Sequence, residues 1–287
     1  TEAGTRLLAD LRSGAAGSDP RDGTVAGGHL FFTADDGRHG RELWVTDGTA
    51  EGTRVLDTAT GARSGKPENL TVVGDKLFFT ADDGVHGREL WVSDGTATGT
   101  RMVRDVNPGA AGSNPEELAA LNGHVYFRAF DAEHGTELWS SDGTLSGTGL
   151  FYETEPGAAS ALARDLLAMP NGSLAVTEWN FGKAELRFLR EDGSAVDFSS
   201  FDPSLAAAER FSYTRTEAGL FVAASELVDR QETEWGVFDT WRTSFWTTDG
   251  TAEGTRHLND LTLGQRWEPP QDLAAHGDHF VFTTSLY

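Results

Sequence analysis

The chain has 287 residues, 45 of them acidic against 23 basic, giving a formal net charge of -22. That balance argues against nucleic acid and anionic lipid as partners and leaves cationic partners, calcium and neutral glycans open. There is no cysteine, so disulfides and thiolate metal sites are excluded, and no apolar run reaches the roughly 18 residues that span a bilayer, which argues against membrane insertion.

The chain starts at Thr1 rather than Met, which leaves room for a removed signal or upstream segment. Gly4, Thr5 and Arg6 match Gly52, Thr53 and Arg54, so residues 5–11 are predicted to be the outer strand of a repeat unit entered part-way. A Gly, Ala and Ser-rich loop leads to strands at 24–26 and 29–34, then to RELWVTDGTAEGT at 41–53. This last stretch alternates as a strand, turns at Asp-Gly and resumes as a strand at Gly-Thr.

The same order returns with strands at 69–73 and 76–81 and RELWVSDGTATGT at 88–100. It returns again with strands at 117–121 and 124–130 and TELWSSDGTLSGT at 136–148. A fourth unit, 165–198, keeps the rhythm and an Asp192-Gly193 turn but lacks the motif tryptophan. Leu189 takes its place if the turn fixes the register, and Arg187 does if the Glu185-Leu186 pair does. A fifth unit ends in SFWTTDGTAEGT (244–255) and carries an insertion at 227–244 between its second and third strands. The final stretch, 271–287, supplies two more strands.

The turn aspartates Asp47, Asp94, Asp142, Asp192 and Asp249 recur at intervals of about 50 residues, the period of propeller blades. Four strands per unit predict a single closed, all-β propeller with six blades, the last completed by the N-terminal strand; five blades are the alternative. The units run over 18–60, 61–109, 110–157, 158–203, 204–264, and 265–287 closed by 1–14.

ELWVTDGT, ELWVSDGT and ELWSSDGT, each preceded in the first two units by FFTADDGxHG, resemble the ELWxxDGT-repeat family of bacterial proteins. The resemblance covers 5–148 well, 245–259 adequately and 149–241 only in rhythm. It implies large exported or surface-associated repeat proteins and brings no catalytic residue with it. The DGT turn is also similar to the Asp-box hairpins of sialidase propellers, at a different spacing.

Loops of a propeller alternate between its faces, which puts the DGT turns on one face and the loops at 34–40, 81–87 and 131–135 on the other. Trp44, Trp91, Trp139 and Trp246 repeat and are expected to pack between blades. Trp179, Trp235, Trp241 and Trp267 stand outside the repeat, in or beside loops of the second face, with Glu178, Asp229, Glu232, Glu234, Asp239 and Glu268 near them in sequence. Indole faces with carboxylates suit a sugar, so Glu178, Trp179, Glu234, Trp235, Asp239, Trp241 and Trp267 are the candidate ligand site.

Asp35, Asp36, Asp82, Asp83, Asp131 and Glu133 are candidate calcium ligands, although Asp-Gly pairs are ordinary turn formers. His39, His86 and His134 recur on separate units, too far apart for one zinc ion, and are expected to hydrogen-bond within their loops. Glu42, Glu89 and Glu137 are expected to accept loop N–H groups or to pair with arginine. No GxSxG, HExxH or phosphate-loop motif is present. The reading that follows is an exported or cell-surface module that binds a glycan or a protein partner. A propeller glycosidase or lyase using acids of the fourth and fifth units, and a calcium-stabilised scaffold, are the alternatives.

Overall fold

The computed structural model describes residues 4–59, 63–154, 163–180, 183–233, 236–263, 271–276 and 279–283. The chain divides into two compact units, Thr1–Ala161 and Leu162–Tyr287. Each is built from antiparallel sheets whose strands neighbour one another in sequence order.

The first unit holds three four-stranded sheets. They are β1 (Arg21–Ala26), β2 (His29–Asp35), β3 (Arg41–Thr46) and β4 (Arg54–Leu56); β5 (Glu68–Val73), β6 (Lys76–Asp82), β7 (Arg88–Ser93) and β8 (Arg101–Arg104); and β9 (Glu116–Leu121), β10 (His124–Asp131), β11 (Gly135–Ser141) and β12 (Thr148–Tyr152). The second unit holds β13 (Arg164–Ala168), β14 (Leu174–Asn180), β15 (Lys183–Leu189) and β16 (Ala195–Asp197), then β17 (Arg210–Thr216), β18 (Gly219–Thr233), β19 (Gly236–Thr248) and β20 (Arg256–Leu263). A two-stranded sheet, β21 (Gln271–His276) and β22 (His279–Thr283), follows.

Among the described residues the expected four-strand rhythm therefore runs through five sheets, and a two-stranded sheet follows them. The strand expected at 5–11 belongs to none of them, and Leu7 is 79% exposed. A strand needs a neighbour for its backbone groups, and apolar patterning alone does not supply one.

Three of the four repeat tryptophans, Trp91, Trp139 and Trp246, lie in cores shared by consecutive sheets. Trp91 packs with Phe31, Leu43 and Val45 of the first sheet and Leu77 and Phe79 of the second. Trp139 packs with Phe78, Leu90 and Val92 of the second sheet and Val125 and Phe127 of the third. In the second unit Trp246 packs with Phe188 and Leu186 of one sheet and Val222 and Ala224 of the next. Fully burying side chains such as Phe78 and Phe79 stabilises the fold by roughly 1.5–3 kcal/mol each.

Every polar residue of the DGTxxGT string has a bond to make. Asp47 Oδ1 accepts from Thr49 N (2.9 Å) and Thr49 Oγ1 (2.7 Å), while Gly52 N donates to Thr49 Oγ1 and Thr53 Oγ1 donates to the Thr49 carbonyl. Gly48 has φ +90°, and a Cβ on Gly52 would lie 2.0 Å from the Asp47 carboxylate. The expected short Asp-Gly hairpin is thus a longer loop, wound on the aspartate, with β4 starting after the Gly-Thr rather than at it. The same bonds recur at Asp94, Asp142 and Asp249.

Pairing settles the register of the fourth sheet. Phe32 faces Trp44, Phe79 faces Trp91, Phe127 faces Trp139 and Val222 faces Trp246; at the equivalent place Val176 faces Arg187. Arg187, not Leu189, holds the tryptophan position. Two steps along the partner strand, where the regular sheets bury Ala34, Ala81 and Ala129, stands Glu178, 1% exposed and 2.7 Å from Arg187 Nη1. Replacing the indole with a cation is matched by replacing the alanine with an anion.

Glu42 and Glu89 are wholly buried, and Glu137 nearly so. Glu42 accepts from Thr58 N, Thr58 Oγ1 and Gly65 N. Glu89 accepts from Ser113 N at 2.7 Å, from Ser113 Oγ, and from Val106 N and Asn107 N at 3.4 Å each; Glu137 accepts from Thr154 N. Burial pushes the Glu42 and Glu89 carboxyls above the ordinary glutamate value, and these donors pull them back. Truncating Glu89 to alanine strands buried N–H donors, so a loss of about 2 kcal/mol is expected in urea unfolding, with an unchanged m-value. A change below ~0.5 kcal/mol would place Glu89 among ordinary surface residues.

Candidate functional site

The acids proposed for calcium are engaged in their own loops. Asp35 accepts from Gly37 N and Arg12 Nη1, and Asp82 from Gly84 N. Asp36 accepts from Arg38 N, His39 N and His39 Nδ1; Asp83 accepts from Val85 N, His86 N and His86 Nδ1. Asp131 accepts from Glu133 N and His134 N and pairs with His134 Nδ1, while the Glu133 side chain is exposed. Among the described residues no group of three His, Cys, Asp or Glu side chains could hold a metal ion. The histidines form the expected loop hydrogen bonds, at 2.7 Å for His39 and His86 and 2.8 Å for His134.

Of the proposed ligand residues, Glu178, Asp239 and Trp241 are described with their side chains, and each of the three is engaged within its own sheet. Glu234, Trp235, Trp267 and the side chain of Trp179 lie outside the described residues. Glu178 is buried against Arg187. Asp239 is paired with Arg230 at 2.8 Å and 3.0 Å, which holds its carboxyl below the ordinary aspartate value.

Trp241, expected as an exposed platform, is 4% exposed, with the Arg210 guanidinium 4.7 Å from its ring centroid. The reason lies in the insertion, whose described residues lengthen β18 and β19 into a hairpin paired from Leu220↔Thr248 out to Thr233↔Gly236. Trp241 lies within that hairpin, opposite Leu227 and Leu263, not at its tip.

A different group of residues surrounds a cleft of about 290 Å³ in the fifth sheet. Its walls are Ala224 and Glu226 of β18, Arg242, Ser244 and Trp246 of β19, His257 and Asp260 of β20, and Asp202, Ser204, Leu205 and Ala208 from the 3-10 turn Pro203–Ala207 and its flanks. Asp202 caps that turn, accepting from Ser204 N (2.8 Å) and Ser204 Oγ (2.7 Å), which fixes the turn against the sheet.

Pairing explains why the cleft is polar. With Trp246 in the repeat place, Ser244 stands where the regular sheets bury Glu42, Glu89 and Glu137, and Arg242 where they carry Gly40, Gly87 and Gly135. Arg242 forms an ion pair with Glu226, its cross-strand partner. Asp260 accepts from Ser244 and from His257 Nε2 at 2.8 Å. The His257 ring lies 4.7 Å from that of Trp246, so the indole, 3% exposed, presents no free face.

These bonds set the charge of the site. Ser244 and then His257 hold Asp260 below the ordinary aspartate value, and the Ser204 amide and hydroxyl do the same for Asp202. Both are anions at neutral pH. The aspartate, not the histidine, sits between Ser244 and His257, so the imidazole is not placed to take the serine proton as nucleophilic catalysis requires. Asp202, Ser204, Glu226, Arg242, His257 and Asp260 escaped sequence reasoning. The legible signal was a departure from the repeat: serine for glutamate and arginine for glycine on one strand.

No family model matches the chain, and no curated protein matches it. Among solved structures it resembles puromycin hydrolase at 16% identity and a TM-score of 0.48, over 96% of this chain and 44% of that one. It also resembles a prolyl endopeptidase at 12% and 0.47, over 92% and 46%. The GH43 endo-arabinanase from Bacillus licheniformis follows at 14% and 0.28, over 76% and 87%. The chain spans less than half the length of the first two proteins. None of these likenesses carries an activity across.

The histidine loops yield a pH prediction. The Asp83 and Asp131 carboxylates raise the His86 and His134 imidazoles above their ordinary value of 6.5. Protonation therefore favours the folded state, with a contribution fully present below 6.5 and lost as pH rises through the raised values. Tm should fall between about pH 6 and pH 8, and the double variant His86→Gln, His134→Gln should show a shallower fall. An identical slope in the variant would remove the histidines as its cause.

Proposed function

We propose that the chain is an exported or cell-surface recognition module of the ELWxxDGT-repeat kind, a propeller of six units that binds a glycan in the cleft of the fifth sheet. The observation that carries this reading is the composition of that cleft. Ionised Asp202 and Asp260 offer acceptors to sugar hydroxyls, and Arg242 and His257 offer donors. The hydroxyls of Ser204 and Ser244 can do either. The chain's net charge of -22 is compatible with a neutral glycan and unfavourable for a polyanionic one.

A glycosidase is the second reading, favoured by Glu226 and Asp260 bordering one cleft. Hydrolysis requires one carboxyl kept protonated near neutral pH. The lowered values of Asp202 and Asp260 leave neither of them in that role, and Glu226 is held in an ion pair with Arg242 rather than facing the cleft alone, which supports retention over cleavage.

A panel of neutral and acidic polysaccharides, scored for retention and for release of reducing ends, separates the two. Retention of a neutral polysaccharide without release is expected, with Asp260→Asn and Arg242→Ala each weakening it about tenfold at unchanged Tm. Retention unaffected by both substitutions would remove the cleft, and steady release of sugar would favour the hydrolase.

A further inference from the structure

In the regular sheets an arginine from one sheet holds the DGT turn of the next. Arg54 of β4 donates Nη2 to the Gly95 carbonyl at 2.6 Å, and Arg101 of β8 donates Nη2 to the Gly143 carbonyl at 2.6 Å. Beneath these turns lies an apolar seat: a Cβ on Gly95 would meet Phe31 and Val45, and one on Gly143 would meet Phe78 and Val92.

Register identifies the same place between the fourth and fifth sheets. Arg54 faces Val45 and Arg101 faces Val92; Val196 faces Phe188. Val196 therefore stands in the arginine position. Gly250, at φ +89°, stands in the position of Gly95 and Gly143, both at +87°. The turn is present and the strap is missing.

A cavity of about 590 Å³ lies there. Phe188, Val196 and Phe201 form its apolar wall, the two phenylalanine rings stacked with centroids 5.7 Å apart and planes at 13°. Gly250, Asn171, Ser173, Thr251, Glu253 and Arg190 supply its polar lining.

We propose that this cavity binds an arginine side chain presented by a protein partner, its guanidinium taking the place that Arg54 and Arg101 occupy beside the other turns. A guanidinium offers planar donors to the Gly250 carbonyl and the Glu253 carboxylate, and its flat face can lie against Phe201, the half-buried ring of the wall. A lysine ammonium lacks the fork and the face. The acidic chain draws a cationic partner toward it. Arg190, on the segment leaving β15, is the one cation among the described residues of the lining and the competitor for the same place.

The probes are N-acetylarginine amide and N-acetyllysine amide, titrated into the whole chain by NMR. Binding of the arginine amide is expected with Kd on the order of 1 mM, and of the lysine amide about tenfold weaker. Val196→Arg rebuilds the internal strap, and it should raise Tm and weaken arginine-amide binding about tenfold or more. Should Val196→Arg fail to fold, Glu253→Gln provides the same readout, a severalfold weaker Kd for the arginine amide alone. Equal binding of both amides, equal binding by the wild type and the substituted chain, or absence of binding would overturn the proposal. Binding seen only in Arg190→Ala would overturn it as well, since the chain's own arginine would then fill the cavity.

Discussion

A buried carboxylate needs donors, and in the first unit that requirement fixes how one sheet leads to the next. Glu42 and Glu89 sit on central strands with no solvent to satisfy them. Their oxygens are met by the N–H groups and hydroxyls of Thr58 and Gly65 in one case and chiefly of Ser113 in the other, on the segments that run on to the following sheet. Leaving a buried donor or acceptor unpaired costs about 1–3 kcal/mol, so the connecting segment has little freedom in where it crosses the strand. Backbone bonds close the same crossing: Lys66 N donates to the Arg41 carbonyl and Asn114 N to the Arg88 carbonyl.

Around that crossing the other repeated contacts fall into place. Trp91 and Trp139, two residues on from Glu89 and Glu137, pack into the core shared with the preceding sheet, and the arginine after the DGT loop reaches forward to the next turn. Contacts in both directions from one hairpin explain why a long string of residues recurs as a block. A change at one position propagates, as the exchange of Trp and Ala for Arg187 and Glu178 in the fourth sheet illustrates.

The second unit uses the same hairpin with different parts, and two of its openings occur where a contact of the regular pattern has been dropped. Ser244 in place of a buried glutamate borders the cleft, and Val196 in place of a strap arginine borders the cavity. The repeat is thus a packing solution, and the cleft and the cavity of the second unit lie where that solution is relaxed.

The strands, their order and the identity of the packing tryptophans were legible in the sequence, because alternation and the DGT loop depend on bonds between residues within a few positions of one another. The histidines and buried glutamates were legible too, since repetition in every regular sheet implies a structural role. Sequence could not decide between Arg187 and Leu189 for the tryptophan place, because the Asp192 turn lies two residues further from the pairing that sets the register. It could not bury Trp241, whose surroundings include Arg210 on β17, two strands away, nor assemble Asp202 with Glu226 and Asp260, which meet only when the Pro203–Ala207 turn folds over β18 to β20. Local hydrogen bonding wrote the elements into the chain; contacts between residues far apart in sequence decided which side chains face a common space.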